Sequence, residues 1–448
     1  MHSTPIAAAT PVAATPSLRG KRITVMGLGR FGGGAGVTRW LREQNAQMLV
    51  TDVQPREALR EPLNEISDLI EEGTVRLRLG EHVVSDFTSC DLVIANPAVP
   101  QPWHNQFIGA ARNAGVPVTT EMRLLTERIN RQRVIGITGS AGKSTTTAMI
   151  HHILVNAGFH AHLGGNIGGS LLTSLDEMHA DDWIVLELSS AMLHWLGAGV
   201  GYEDARGWSP RTAVLTNITP NHIDWHGSFE HYQQSKLNIF KYQSQGDQQV
   251  TTDHLPRGRQ PIPLQIPGSH NQINAQLALA AVERAVGLPQ SRARSLLADF
   301  PGLPHRLQLV AQAGDQRFYN DSKSTTPEAT VLAVAAFDDP KRVHLIAGGY
   351  DKGSDLTPIA QLGSRIGGLY TIGNTGRDLA ESATAGAFAE YCESLDAAVK
   401  RAKARMRPKD VLLLSPGCAS WDQFTNYEKR GEMFVKLIEN LNRAEDHS

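Results

Sequence analysis

The chain has 448 residues, enough for about three domains at roughly 150 residues each, and 43 Lys and Arg against 45 Asp and Glu leave a formal net charge of −2. That balance removes the electrostatic reason to expect a nucleic-acid partner or an anionic membrane surface, and no apolar run approaches the ~20 residues of a bilayer span. With 41% hydrophobic residues and only three scattered cysteines (Cys90, Cys392, Cys418), composition also excludes a disordered chain, a disulfide framework and a zinc-cysteine site, and fits a cytoplasmic protein.

Residues 1–20 are almost all Ala, Thr, Pro and Ser, with no charged segment leading into an apolar stretch. They read as a disordered tail rather than a secretory signal, and Arg19 and Lys21 are a thin basis for a transit peptide. From Lys21 onward short apolar runs alternate with longer amphipathic stretches, which predicts parallel sheets covered by helices. Strands are expected over Ile23–Met26, Met48–Thr51, Leu92–Ala95, Val134–Thr138, Trp183–Leu186, Ala213–Thr216, Val343–Ala347 and Val411–Leu414. Nearly all run into residues rich in Gly, Asn, Asp, Ser or Thr, and open parallel sheets bind ligands beyond those carboxyl ends. Joints near Glu121–Arg133 and Phe300–His305 divide the chain, after the tail, into three α/β domains: 21–122, 123–302 and 303–448.

The first strand opens into Gly27-Leu-Gly29-Arg-Phe-Gly32, and Asp52 ends the next strand about twenty residues on. This is a dinucleotide fingerprint, with glycines for a diphosphate and an acid for a ribose hydroxyl. Alone it fits an NAD-dependent dehydrogenase; a second nucleotide-bearing ligand and an empty glycine-rich turn are the other readings. Hydride transfer leaves the loop described next without a use, so a second nucleotide-bearing ligand is the economical expectation.

The strongest local signal is Val134-Ile-Gly-Ile-Thr-Gly-Ser-Ala-Gly-Lys-Ser-Thr-Thr-Thr147, a β-rich run leading through Gly139, Ser140, Ala141 and Gly142 to Lys143, Ser144 and Thr145 and a helical stretch. Such a loop turns its amide N–H groups onto phosphate oxygens at a helix N-terminus, with the lysine on the terminal phosphates and the hydroxyl on Mg²⁺. The strict Gly-x4-Gly-Lys-Ser spacing is broken, because position 137 is Ile. Downstream, Glu187 closes an apolar run, Trp183-Ile-Val-Leu-Glu187-Leu-Ser-Ser190. A carboxylate at a buried strand end must be paired or metal-bound, and beside a phosphate loop it is a candidate Mg²⁺ ligand.

With these residues the sequence resembles the Mur ligase family, the ATP-dependent amino-acid ligases of peptidoglycan synthesis. The likeness runs from about Ile23 to Leu441. Besides Gly139–Thr145 and Glu187–Ser190 it includes Gly164-Gly-Asn-Ile-Gly168, Asn217-Ile-Thr-Pro-Asn-His-Ile-Asp-Trp-His-Gly227 and Ser235-Lys-Leu-Asn238. It continues through Gly268-Ser-His-Asn-Gln-Ile-Asn274, Gly302-Leu-Pro-His-Arg306, Asn320-Asp-Ser-Lys-Ser-Thr325 and Leu414-Ser-Pro-Gly-Cys-Ala-Ser-Trp-Asp-Gln-Phe424. Their order and spacing are together far more specific than any one of them.

The resemblance implies a Rossmann-like N-terminal domain, a central P-loop ATPase-like domain and a Rossmann-like C-terminal domain, working as a monomer. It implies an ATP-dependent ligase that adds D-glutamate to UDP-N-acetylmuramoyl-L-alanine through an acyl phosphate, with two Mg²⁺ ions. By the family pattern Lys143 holds the ATP phosphates, Ser144 and Glu187 the first Mg²⁺, and His222 and a carbamylated Lys236 the second. Asn274, Arg306, Asp321 and Lys323 are assigned to ATP, and Thr325, Lys352, Ser420 and Tyr427 to D-glutamate. Gly27, Gly29, Gly32, Asp52, Asn166 and Ser189 are assigned to the UDP-substrate. The chain departs from the family at Ala141 for a usual Asn, at Asn96-Pro-Ala98 for Ser-Pro-Gly, at Val53-Gln54 for Thr-Arg, and at Tyr427 for Phe. The same scaffold with L-glutamate or another amino acid is the alternative within the class; a non-catalytic nucleotide switch and a dehydrogenase are the alternatives outside it.

Overall fold

A computed structural model describes residues 17–29, 33–255 and 260–445. Gly32 and residues 1–16 of the expected tail lie outside the described residues. Two compact units result, one from the described residues of Met1–Gly258 and Gln276–Ala293, the other from those of Arg259–Ala275 and Arg294–Ser448.

The first unit carries two five-stranded sheets. One contains β1 (Arg22–Met26), β2 (Gln47–Asp52), β3 (Val75–Leu79), β4 (Leu92–Ala95) and β5 (Val118–Thr119) in the order β3-β2-β1-β4-β5, every pairing parallel. The other contains β6 (Val134–Thr138), β7 (Ala161–Gly165), β8 (Trp183–Glu187), β9 (Thr212–Leu215) and β10 (Gln248–Val250) in the order β10-β9-β6-β8-β7, again all parallel. In the first sheet the chain winds outward from β1 through β2 to β3 and returns on the other side at β4. The order therefore reverses between β1 and β4, which is where a ligand crevice opens in such sheets. All five residues of β6 are buried, and this accounts for their near-continuous apolar character. Gly136 interrupts the run because a Cβ there would lie 2.6 Å from Pro210 Cγ.

The second unit holds one six-stranded sheet of β11 (Gln308–Ala313), β12 (Gln316–Asn320), β13 (Val343–Gly348), β14 (Gly368–Ile372), β15 (Ala389–Glu393) and β16 (Val411–Leu414). Its order is β11-β12-β16-β13-β14-β15. Against the expectation of parallel sheets throughout, β11 pairs antiparallel with β12. The two are joined by a short turn at Gly314 (φ 56), too short for the crossover that parallel neighbours need. Leu345, Leu369 and Leu413 face helices on one side of this sheet, and Ile346, Leu412, Phe434 and Ile438 form the core on the other. No helix among the described residues is long and apolar enough to cross a membrane.

Candidate active site

After β1 the chain turns through Gly27 (φ 86) and Gly29 (φ 70), conformations that favour glycine. The turn is fixed by Asp52 at the end of β2, whose Oδ2 accepts from the N–H of Leu28 (2.9 Å) and Gly29 (3.4 Å) while Oδ1 accepts from that of Gln54 (2.9 Å). Both carboxylate oxygens of Asp52 are thus spent on backbone amides. Asn96, at the end of β4, lies under the turn, and a Cβ on Gly29 would sit 2.6 Å from its Nδ2.

The loop after β6 is cross-tied to the segment after β9. Ser140 N–H donates to Asn217 O (2.9 Å), Ala141 N–H to Asn217 Oδ1 (3.0 Å), and Thr216 Oγ1 to Ala141 O (2.6 Å). Ser140 Oγ also lies 2.7 Å from the Tyr232 hydroxyl. Gly142, left-handed at φ 80, caps the helix Lys143–Asn156, so the loop ends in a helix N-terminus as the sequence predicts. Lys143 Nζ donates back to Ser140 O (3.1 Å), and Ser144 and Thr145 follow in the first turn.

Glu187 ends β8 between β6 and β7 and is 1% exposed. Its Oε1 accepts from Asn166 Nδ2 (3.0 Å), and its buried Oε2 has no hydrogen-bond partner. Asn166 also donates its N–H to Glu187 O (2.9 Å), which ties it to the acid itself. Lys236 lies on the helix Phe229–Lys241, buried, with Nζ donating to Gly139 O (2.8 Å). Burial, and then the charge of Lys143, push its ammonium down to about 7, while Glu187 opposes the shift. His222 is exposed and holds a left-handed backbone (φ 50) at the start of the short helix Ile223–His226.

These pieces meet in one cavity of about 570 Å³. Gly27, Gly29 and Asn96 line it from the first sheet, and Lys143, Asn166, Ser189, His222 and Lys236 from the second. Glu121, Ser190, His226 and Tyr232 also line it and were not singled out from the sequence. Tyr232 was legible in principle, since it stands one helical turn before Lys236 on the same face. Ser190 and His226 lie inside recognised motifs but are joined only by the fold, His226 Nε2 being 2.9 Å from Ser190 Oγ. Burial, then the neighbouring His231 and His194, push the His226 imidazole down to about 3, so it is neutral. The two sheets are also latched beside the cavity. Gln101 donates N–H to Trp225 O and Nε2 to Asp224 O, and Trp225 Nε1 donates to Pro97 O, each at 3.1 Å.

In the second unit Asp321, Lys323 and Thr325 follow β12, Lys352 follows β13 and Ser420 follows β16, so these five lie beyond the carboxyl ends of neighbouring parallel strands. Asp321 follows β12, accepts from Leu307 N–H (3.1 Å) and Ser415 Oγ (2.8 Å), and is pushed up to about 6 by burial. Lys323 Nζ stands 5.2 Å from the centre of the Tyr427 ring, and Lys352 Nζ 4.8 Å from that of Trp421. Ser420 is buried, Thr325 half-buried, Arg306 and Lys352 exposed. Asn274 is buried on the helix Ser269–Val286 and donates Nδ2 to Asn271 Oδ1 (3.2 Å).

Residues 137–255 match the Mur ligase middle domain, and residues 305–418 the Mur ligase glutamate ligase domain. A protein of Acidobacterium capsulatum named UDP-N-acetylmuramoylalanine–D-glutamate ligase is 34% identical over 470 residues, covering 94% of this chain and 96% of its own. The chain belongs to the Mur ligase family. A like-named protein of Pelotomaculum thermopropionicum is 32% identical, covering 95% of this Mur ligase and 98% of its own length. Among solved structures, the UDP-N-acetylmuramate–alanine ligase of Thermotoga maritima shares the fold, with a TM-score of 0.56 at 17% identity over 94% of this chain and 99% of that one.

The donor set of this Mur ligase fits a hard, partly protein-bound cation. The orphaned Oε2 of Glu187 is the one buried carboxylate oxygen without a partner among the described residues, and an oxygen ligand of that kind is what Mg²⁺ takes. Among the described residues no three His, Cys, Asp or Glu gather into a metal cluster. Such a sparse donor set suits Mg²⁺, which is usually held by one or two carboxylates with the rest of its ligands from water and phosphate oxygens.

Proposed function

We propose that this Mur ligase joins the amine of D-glutamate to the alanyl carboxylate of UDP-N-acetylmuramoyl-L-alanine at the expense of ATP, as a cytoplasmic monomer. The observation that carries the reading is the single cavity reached both by a glycine turn suited to a diphosphate and by Lys143 of a phosphate loop. The names of the full-length relatives supply the substrates. In this reading residues 21–122 bind the UDP-substrate, 123–302 bind ATP as a P-loop domain, and 303–448 bind the amino acid.

A carboxylate oxygen of the alanyl group attacks the γ-phosphorus, ADP leaves, and an acyl phosphate forms. The amine, having lost a proton, attacks the carbonyl carbon, and phosphate departs as the amide closes. Both steps crowd anions together, so placement of positive charge dominates catalysis. Lys143 and the loop amides of Gly139–Ser144 neutralise the triphosphate. Ser144 and Glu187 would hold one Mg²⁺, and His222 with Lys236 a second. When bound, these ions screen the phosphate charge and polarise the transferring group. Lys236 fits a carbamate because its amine, lowered to about 7, is about half unprotonated at neutral pH, and that free amine can add CO₂ with loss of a proton. Asn166, Ser189, Gly27, Gly29, Gly32 and Asp52 belong to the sugar-nucleotide end, with Asp52 acting through the turn it braces. Asn274, Arg306, Asp321 and Lys323 would contact ATP, and Thr325, Lys352, Ser420 and Tyr427 the side-chain carboxylate of D-glutamate.

The test is phosphate release from ATP with the sugar-nucleotide and each glutamate enantiomer in turn. Release that requires both the sugar-nucleotide and D-glutamate supports the reading. Equal release with L-glutamate moves the enzyme to the other amino acid, and release without any amino acid points to a nucleotide switch.

A further inference from the structure

Arg430, on the helix Tyr427–Glu445, is among the largest fully buried side chains of the protein, 1% exposed. Its Nε donates to Ser322 Oγ (3.0 Å), Nη2 to Ser322 O (3.0 Å) and Cys418 O (3.1 Å), and Nη1 to Ala419 O (3.2 Å). Every partner is neutral. Asp422 acts on it only through space, its own Oδ2 being 2.9 Å from Asn374 N. Desolvation accordingly pushes the guanidinium down to about 10. Burying a cation without a counter-ion is expensive, and a protein keeps such a charge where something else repays it.

The partners show where that repayment is available. Ser322 lies between Asp321 and Lys323, and Cys418-Ala419 lead directly into Ser420. Tyr350 N–H donates to Ala419 O (2.9 Å) and Ser322 Oγ to Tyr427 O (2.8 Å), so the loop that leads to Lys352 and the helix start at Tyr427 are anchored to the same atoms. A Cβ on Gly349 would come within 3.2 Å of Arg430 Nη1, which shows how closely the loop above is seated on the guanidinium.

We propose that Arg430 is a specificity-determining residue, whose unpaired charge beneath the Thr325–Lys352–Ser420–Tyr427 group sets the preference for an amino acid with an anionic side chain over its neutral amide. The inference rests on the amino-acid assignment above and extends it to a group that touches no substrate. Its measure is discrimination between D-glutamate and D-glutamine, which share stereochemistry and shape and differ in side-chain charge. The readout is the KM for D-glutamate relative to the Ki of D-glutamine as its competitor. Loop damage weakens both ligands alike; loss of the charge weakens only the first.

Arg430→Met is expected to cut the preference for D-glutamate at least tenfold, about 1.4 kcal/mol, while Arg430→Lys keeps it within threefold of the parent. Asp422→Asn, a nearly isosteric change that removes the opposing acid, is expected to raise the preference, and it decides the matter if Arg430→Met does not fold. An unchanged preference in Arg430→Met, or an unchanged or lower one in Asp422→Asn, overturns the inference. If the parent protein shows no D-glutamate-dependent phosphate release, the functional reading fails instead, and the two failures are told apart by that control.

Discussion

Replacing Gly139 by Ala strikes the cross-tie that shapes the phosphate loop. The added Cβ would lie 1.8 Å from Thr216 Oγ1 and 3.1 Å from Thr216 Cβ, so the hydroxyl must leave its position. With it goes the 2.6 Å bond to Ala141 O, worth about 1–1.5 kcal/mol net. Holding an alanine at φ 154 adds on the order of 1–2 kcal/mol of backbone strain. The total of about 2–3.5 kcal/mol, spent on loop geometry, corresponds to roughly 30- to 300-fold weaker ATP binding at about 1.4 kcal/mol per decade. Thr216→Ala alone loses only the hydrogen bond, near 1 kcal/mol. The double variant has no hydroxyl to displace, so the bond is lost once rather than twice, and its loss should fall short of additive by at least about 1 kcal/mol. The assay is equilibrium binding of a non-hydrolysable ATP analogue to the four proteins of the cycle, with denaturant unfolding as the control for global damage. Strictly additive losses would refute the claim that Thr216 is the atom Gly139 makes room for.

Three further outcomes follow from the site. Lys143→Ala should reduce turnover at least a hundredfold while changing affinity for the sugar-nucleotide less than threefold, measured by phosphate release and calorimetry; a large loss of sugar-nucleotide affinity would contradict the division of labour in the cavity. Glu187→Gln keeps the contact to Asn166 but removes the free carboxylate oxygen, so the Mg²⁺ concentration for half-maximal ATP-analogue binding should rise about tenfold or more. Lys236 titrates near 7 in the folded protein and near 10.5 when unfolded, so between those values the unfolded chain binds more protons and stability must increase with pH. The parent should therefore gain stability from about pH 7 to 10 relative to Lys236→Met in bicarbonate-free, metal-free denaturant titrations, and a parallel dependence in the two proteins would exclude the lowered amine.

The interior of the fold was readable and its margins were not. Leu92–Ala95, Val134–Thr138 and Val411–Leu414 match their predicted bounds, the first and last because a strand covered on both faces needs an apolar run, and the middle one, broken only at Gly136, because the glycine loop marks its end. β3, with Arg76 and Arg78 in Val-Arg-Leu-Arg-Leu, and β15, with Glu390 and Glu393, lie at sheet edges, where charge is tolerated and the apolar signal fades. β14 was missed although fully buried, since its Gly-Leu-Tyr-Thr-Ile carries no such run. The glycine loop and Glu187 announced themselves because each stands next to its strand in sequence. The atoms that hold the loop do not: Thr216 and Asn217 are about 75 residues away and reach it only because β9 pairs with β6. Asp52 illustrates the converse, since the spacing that advertises a ribose ligand also puts a carboxylate within reach of the amides of its own glycine turn.

The bonds from Gln101 and Pro97 to the turn of Asp224 and Trp225 carry a mechanical meaning. His222 sits at the head of that turn in a left-handed backbone, and Trp225 and His226 both donate their N–H to its carbonyl. Two residues upstream of Pro97, the same chain leaves the strand that floors the glycine crevice. Three hydrogen bonds thus tie the Asn96–Gln101 loop to the turn that carries the His222 imidazole. A displacement of the Asn96–Gln101 loop would strain these three bonds first, and through them the turn that carries His222.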